Sequence, residues 1–447
     1  MVRTQSTIWT RRRAGALAGT MGAAAGGLLA TACGGATESG GGTGANPTRK
    51  AVTLQYWSRF AAPIGDVEEK YLPVFQEKYA PIKVERTLVT TDYNLLVEKI
   101  TTAFASSTPP DVFTMGSPDV VTYAHPGSVL QLDTYQRIKK EADDFFAPPL
   151  AVGKYQNKLY GMTYYIDTRI MLYRKDVLAE AGLPTDRKSL PKTWDQFRDV
   201  AKKVARWEGN DIKRVGWDVS GAAGDATVFL VMLGQLNKRV ISADSKKVEF
   251  DGPEGQRALQ TLVDFYNRER MDSAQRTAFP SGIEALATPQ LAIKWSSSSP
   301  LTGIRRAGQD PQQLVVTDLT PEFSGKPTAG SYLGGTWQMV AKQTKDVDAS
   351  LELLAYLTGY DMSLAVAQSQ YTVPARKSSE KEPYLQDTLL RPFYDSLQYG
   401  WVVPQHQHYG KIRNKIVDEV KEALQQKKSV KEALADAAAF SNALLTS

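Results

Sequence analysis

Residues 51–58 read AVTLQYWS, with Val52, Leu54 and Tyr56 alternating against Thr53 and Gln55, the period of a strand. GDVEEKYLPVFQEKY follows, placing Val67, Tyr71, Val74 and Phe75 at helical spacing behind an expected capping pair, Asp66 and Glu69. Pro73 predicts a kink or a later helix start. Alternation returns in IKVERTLV through Ile82, Val84, Arg86 and Leu88. DYNLLVEKITTAFASS then sets Leu96, Ile100, Ala103 and Phe104 on one helical face, and PPDVFTMG reads as a strand. This β-α-β-α-β order calls for parallel strands joined by right-handed crossovers. Ligands of such open sheets bind at the carboxyl ends of strands. Those ends are Trp57-Ser58-Arg59 and Met115-Gly116-Ser117.

Further on, LPKTWDQFRDVAKKVARW opens a helix with Thr193 as cap and Gln196 answering it, and turns Phe197, Val200, Ala201 and Val204 inward. Helical periodicity also marks residues 226–236, 256–266 and 349–357, and the tail reads as two helices broken near Ser429. A chain of 447 residues is too long for one core, since interiors stop growing at roughly 250 to 300 residues. Two lobes are expected. With 42% hydrophobic and 23% charged residues, neither wholesale disorder nor a multi-span membrane protein is indicated.

The first 32 residues do not belong to the fold. Arg11, Arg12 and Arg13 precede an uncharged Ala/Gly/Leu run ending in Ala30, Thr31 and Ala32, the order of a secretory signal. A permanent membrane anchor is the alternative, but the run is weakly apolar. TRRRAGA is also similar to a twin-arginine signal without its aromatic residue. Cys33, the single cysteine, resembles the lipid acceptor of bacterial lipoproteins, although Ala30 stands where that pattern prefers Leu. Ordinary cleavage after Ala32 would leave a free thiol on an exported chain, so lipidation accounts better for its solitude. Residues 33–50 form a Gly/Ser/Thr tether. Loss of the signal removes four of the 54 Lys and Arg, leaving 50 against 48 acids, so the basic precursor implies no nucleic-acid partner.

Enzyme signatures are missing. No GxxxxGK[ST] or GxSxG occurs, and His125, His406 and His408 with no cysteine in the body do not make a usual zinc site; His406 and His408 read as an exposed loop after Pro404. No cofactor and no metal is expected. Aromatic residues are more telling. YWSR, TYYIDT, IKWSSSS and GGTWQ each present rings beside small polar groups, among them Trp57, Tyr164, Tyr165, Asp167, Trp295, Ser296 and Trp337. Rings fringed by hydroxyls and a carboxylate suit a neutral, hydroxyl-rich sugar that stacks on its C–H face.

From about Val52 to Leu445 the body resembles the extracellular solute-binding proteins of family 1, the maltose-binding-protein-like receptors of ABC importers. The landmarks, in order, are FQEKYAPIKVE, PPDVFTMG, GSVLQLDTY, YQNKLYGMTYYIDTRIMLYRKDVLAEAGL, PKTWDQF, GGTWQMVAK, QYTVPARKS and SVKEALADA. The resemblance implies a two-lobe, type II periplasmic-binding-protein-like α/β fold, each lobe a mostly parallel sheet flanked by helices, with ligand in the cleft between them. Residues 51–163 and 329–358 would form the N-terminal lobe, and residues 164–328 and 359–447 the C-terminal lobe. Hinge crossings would fall near Tyr160 to Tyr164, Thr328 to Ser331 and Thr358. By position, the resemblance assigns ligand contacts to Ser117, Asp119, Asp167, Trp295, Trp337 and Tyr409. Trp57, Ser58 and Arg59 rest on the strand-end argument as well. Met115 departs from the aromatic residue of maltose-binding protein, which argues against maltose itself.

The resulting expectation is an exported, lipid-anchored, monomeric binding protein without catalysis of its own, delivering a carbohydrate to ABC permease subunits. Alternatives are the same fold with a polyamine, peptide or phosphodiester cargo, an exported glycosidase, or a surface adhesion lipoprotein.

Overall fold

The computed structural model describes residues 49–224, 226–273, 279 and 282–446, apart from the side chains of Pro118 and Ile283. The expected signal, Cys33 and nearly all of the tether lie outside the described residues. Arg49–Ser447 forms one compact unit.

The first three strands, β1 (Val52–Ser58), β2 (Ile82–Leu88) and β3 (Val112–Gly116), alternate with helices Ile64–Lys78 and Tyr93–Ala105 as the pattern requires. Both β2 and β3 pair with β1 in parallel. Leu54 and Tyr56 of β1 are fully buried while Thr53 and Gln55 are half-buried, the expected two-sided strand. A hairpin of β4 (Lys154–Tyr155) and β5 (Lys158–Leu159) precedes β6 (Met162–Thr163), β7 (Tyr165–Thr168) and β8 (Ile170–Arg174). Next come β9 (Arg206–Glu208), β10 (Asp211–Trp217), β11 (Leu291–Ser296), β12 (Val315–Asp318), β13 (Ser331–Gly334), β14 (Thr336–Val340), β15 (Val373–Pro374) and β16 (Gly400–Trp401).

These strands make two five-stranded sheets, in order β2-β1-β3-β14-β6 and β12-β8-β11-β10-β9, with a four-stranded sheet β15-β7-β13-β16 beside them. Consecutive strands tell how the chain travels. It leaves the first sheet after β6, passes through the third as β7, and enters the second as β8. It returns through β13 to β14 of the first sheet. Gly335, between β13 and β14, has φ 141°, a conformation that side-chain-bearing residues rarely adopt, and a Cβ there would sit 3.3 Å from the Trp337 ring.

Four expectations need correcting. The sheets are mixed rather than mostly parallel: β14 enters the first sheet from the opposite direction and pairs antiparallel with β3 and β6, and in the second sheet only β10 and β11 are parallel. The helix after β1 begins at Ile64, so Asp66 lies in its first turn and no side chain caps its N-terminus. Pro73 lies within the helix rather than ahead of a later start, with its side chain exposed. Finally, the chain does not leave the first half at Thr358. Helix Tyr360–Gln370 packs on helix Ile64–Lys78, and the Arg376 guanidinium pairs with Glu141 at 2.6 Å and Asp144 at 3.1 Å.

Other readings hold. Thr193 and Gln196 form a reciprocal capping box at helix Trp194–Val204, and Ser429 and Glu432 form another where the C-terminal helices, Tyr409–Leu424 and Val430–Leu445, are separated. Helix Thr227–Gln235 is buried on nearly every face, as an apolar helix inside a core must be.

Candidate functional site

The carboxyl ends of β1 and β3 lie side by side, and Tyr93, the first residue of helix Tyr93–Ala105, spans them. Its hydroxyl accepts from the Gly116 amide at 3.0 Å and donates to the Asp119 carboxylate. A Cβ on Gly116 would sit 2.8 Å from Tyr93 Cζ, so glycine is what allows the ring this close. Burial raises the Asp119 pKa above the usual carboxylate range, tempered by the Tyr93 and Thr122 hydroxyls and by the Arg413 charge from helix Tyr409–Leu424. The Arg59 guanidinium stacks over Phe60 at 5.3 Å and over Tyr93 at 5.1 Å.

Along β7, Tyr165, Asp167 and then Arg169 alternate half-buried against the buried Ile166 and Thr168, so the three face one way. The Tyr165 ring stacks on Tyr164 at 5.7 Å, and its hydroxyl is pushed up to about 12 by burial and by the Asp167 charge. Burial also raises the Asp167 pKa, offset by Arg169 and by a hydrogen bond with Ser297 beyond the end of β11. Asp167 thus joins the middle sheet to the second one. Arg169 lies 5.5 Å from the Trp295 ring and 5.1 Å from the Tyr332 ring, and its Nη1 donates to Thr227 Oγ1 at 3.2 Å. Tyr332 continues the chain of contacts: its hydroxyl is 3.5 Å from Ser117 Oγ, and its ring stacks on Trp401 at 6.2 Å and 27°.

Trp401 opens onto a cavity of about 630 Å³. Part of its lining is the β4–β5 hairpin, with Lys154, Gln156 and Asn157; another part is the chain following helix Thr227–Gln235, from Lys238 to Ser245. The hairpin packs on helix Val120–Ala124 beyond β3, so the cavity lies between the first half and the second. Its size falls in the range of small-molecule sites, roughly 300–1,000 Å³.

Of the twelve candidate ligand contacts, six are half-buried side chains able to meet a ligand: Trp57, Arg59, Asp119, Tyr165, Asp167 and Ser296. The other six are enclosed. Ser58 Oγ accepts from the Phe60 amide at 3.2 Å, and Ser117 lies beneath Tyr332. Tyr164 is fully buried with its hydroxyl on the Glu68 carboxylate, 3.2 Å away. Trp337, also fully buried, packs against Gly153, Gly161 and Gly335. Trp295 donates Nε1–H to Thr320 Oγ1 at 3.0 Å within the core, and Tyr409 is 1% exposed. The four rings among them, Tyr164, Trp295, Trp337 and Tyr409, are packed in the interior in this conformation. None of the twelve lines the 630 Å³ cavity. Tyr93, Arg169, Tyr332 and Trp401 were not anticipated. Arg169 had a legible signal, two residues past Asp167 on the same strand face; Tyr332 and Trp401 are brought together only by the parallel pairing of β13 with β16. Among the described residues, no group of three His, Cys, Asp or Glu is placed to hold a metal.

Known proteins share this architecture. A sugar-binding protein from Xanthomonas citri superposes with a TM-score of 0.76 at 21% identity, covering 88% of this chain and 98% of its own. An ABC transporter solute-binding protein from Thermotoga lettingae, solved with α-D-tagatose, gives 0.74 at 23% identity, covering 88% and 99%. In sequence, the arabinooligosaccharide-binding protein of Bacillus subtilis is 24% identical over 65% of this chain and 66% of its own length, just under two thirds. The diacetylchitobiose-binding protein of Streptomyces coelicolor is 22% identical over 78% of this chain and 79% of its own. The family description "bacterial extracellular solute-binding protein" matches residues 70–392. With most of its length matched by that family, and with two mixed sheets joined through a third around an interlobe cavity, the chain belongs to the bacterial extracellular solute-binding proteins.

Proposed function

We propose that this protein captures a saccharide between its two halves and delivers it to an ABC importer, held at the outer face of the cytoplasmic membrane by lipid on Cys33. The observation that carries the reading is the stacked pair Tyr332 and Trp401, which leads from the Ser117 and Asp119 strand end to a cavity rimmed by Gln156, Asn157, Ser242 and Gln405. Rings supply stacking for a sugar face, and amides and hydroxyls at the rim supply hydrogen bonds. Relatives named for arabinooligosaccharide and diacetylchitobiose support this cargo class. A polyamine would need acidic walls, and the cavity has none among its described lining residues.

Closure would turn on the strands that pass between the sheets, β6 to β8 and β13 to β14. A ligand favours the closed form only in so far as it touches both halves. Capture and release require no covalent chemistry, so the role is that of a receptor.

A thermal-shift screen of the purified protein against a saccharide panel tests this. Binding stabilises by RT ln(1 + [L]/Kd), about 2.7 kcal/mol at a hundredfold excess over Kd, so a true ligand raises the melting temperature visibly. Shifts with amines or peptides and none with sugars would overturn the carbohydrate reading. Turnover of a glycoside would overturn the receptor reading.

A further inference from the structure

The cavity between the halves is chemically one-sided. Lys154 on the hairpin, and Lys238 and Arg239 on the segment after helix Thr227–Gln235, line the space together with His406; no Asp or Glu is among its described lining residues. Acids and bases are nearly balanced over the chain, 48 against 54, so a patch of this size would ordinarily mix both signs. Among the described residues no ion pair occupies Lys154 or Arg239, and Lys238 reaches Glu254 only at 3.8 Å. Charged side chains without partners stay hydrated until an anion displaces that water.

Two further features define the guest. The Gln405 amide donates from Nε2 to the Val403 carbonyl at 2.9 Å, while its Oε1 is buried without a hydrogen-bond donor. A ligand hydroxyl would satisfy that oxygen. Trp401, stacked on Tyr332, supplies a ring at the same wall. Hydroxyl, sugar face and negative charge are therefore all matched in one cavity.

Lys154 and Arg239 reach the cavity from two separate segments of the chain, the hairpin and the stretch after helix Thr227–Gln235. An anion that meets both is attracted to each, so a charged guest touching both segments gains an interaction that a neutral one does not.

We propose that this cavity takes the anionic group of an acidic saccharide, a uronate carboxylate or a sulfate ester, with Trp401 against a sugar ring and Lys154 and Arg239 on the charge. The inference rests on the carbohydrate reading above and departs from the neutral guest that the aromatic pattern suggests.

Calorimetric titration of the full chain with matched trisaccharides tests it: galacturonate against galactose, mannuronate against mannose, and a sulfated galactose chain. At least one anionic member should bind about tenfold or more tightly than its neutral counterpart, with the advantage shrinking as salt rises. Response to the uronates or to the sulfate ester identifies which group is read. Lys154→Gln and Arg239→Gln should each lower the anionic affinity by about tenfold at an unchanged melting temperature, and lower the affinity for the neutral counterpart by less. Neutral chains binding as tightly as anionic ones, or anionic affinity surviving in the double variant, would overturn the proposal while leaving carbohydrate capture intact. No saccharide binding at all would remove both.

Discussion

At the scale of single residues, the most consequential group in the first half is one the hydrophobic pattern hides. Glu68 is fully buried on helix Ile64–Lys78, where it accepts from Tyr56 at 2.7 Å, Tyr164 at 3.2 Å and Arg86 at 2.7 Å. Burial and the adjacent Glu68 charge push both tyrosine hydroxyls well above their ordinary pKa, so they remain donors at any working pH. Glu68→Ala would leave the buried Tyr56 and Tyr164 hydroxyls without their acceptor and reduce Arg86, only 10% exposed, to its exposed partner Glu69 at 3.2 Å, and should cost about 3–5 kcal/mol in urea unfolding. Trp337→Ala tests the correction made for that ring. Full burial predicts a loss of about 3–5 kcal/mol of stability; weakened binding with an unchanged urea midpoint would return Trp337 to the ligand. Asp167 behaves differently. Its folded pKa is raised above the ordinary 3.8, so across that window the folded protein holds more protons than the unfolded chain, and stability falls as pH rises. Asp167→Asn should therefore raise the melting temperature at pH 7, with the gain disappearing as pH falls toward the ordinary aspartate range. A lower melting temperature at pH 7 would show that the contact with Arg169 outweighs the burial cost.

Among elements, the sequence was most readable where one pattern decides. Alternation located β1 and β2, while β3 is buried along its whole length, and S/T-x-x-E/Q spacing marked the helix start at Thr193 because the reciprocal bonds need only local chain. Ser429→Ala removes the acceptor for the Glu432 amide and should cost about 1 kcal/mol, read as a lower urea midpoint. An unchanged midpoint would assign that helix's stability to tertiary packing alone. Less could be read where partners are distant. The antiparallel entry of β14, the two-residue strands β15 and β16, and the docking of Tyr360–Gln370 on the first helix depend on pairings hundreds of residues apart. For the same reason Arg59 was marked by a strand end, and Asp119 and Asp167 by the resemblance, while Tyr332 and Trp401 were marked by neither. Rings by themselves were ambiguous, since a tryptophan between small residues serves equally in a core, as Trp337 and Trp295 do, or at a cavity wall, as Trp401 does.

Taken as a whole molecule, the protein places its cleft where the chain passes repeatedly between two sheets, so a guest touching both walls couples directly to their separation. The proposed membrane attachment is a separate matter resting on Cys33. Replacement of Cys33 by Ser should move the protein from the membrane fraction to the soluble exported fraction with saccharide affinity unchanged, and retention in the membrane fraction would contradict lipid anchoring there. Cys33 is the single cysteine of the chain, so residues 49–447 accept two spin labels cleanly. Lys158→Cys on the hairpin and Lys246→Cys on the segment after helix Thr227–Gln235 are both exposed and flank the cavity without lining it. Distance measurement by pulsed electron resonance between these labels, with and without a saturating saccharide from the thermal screen, tests the central claim most directly. Capture between moving halves predicts a shorter and narrower distance distribution when the sugar is bound; an identical distribution at full occupancy would contradict it.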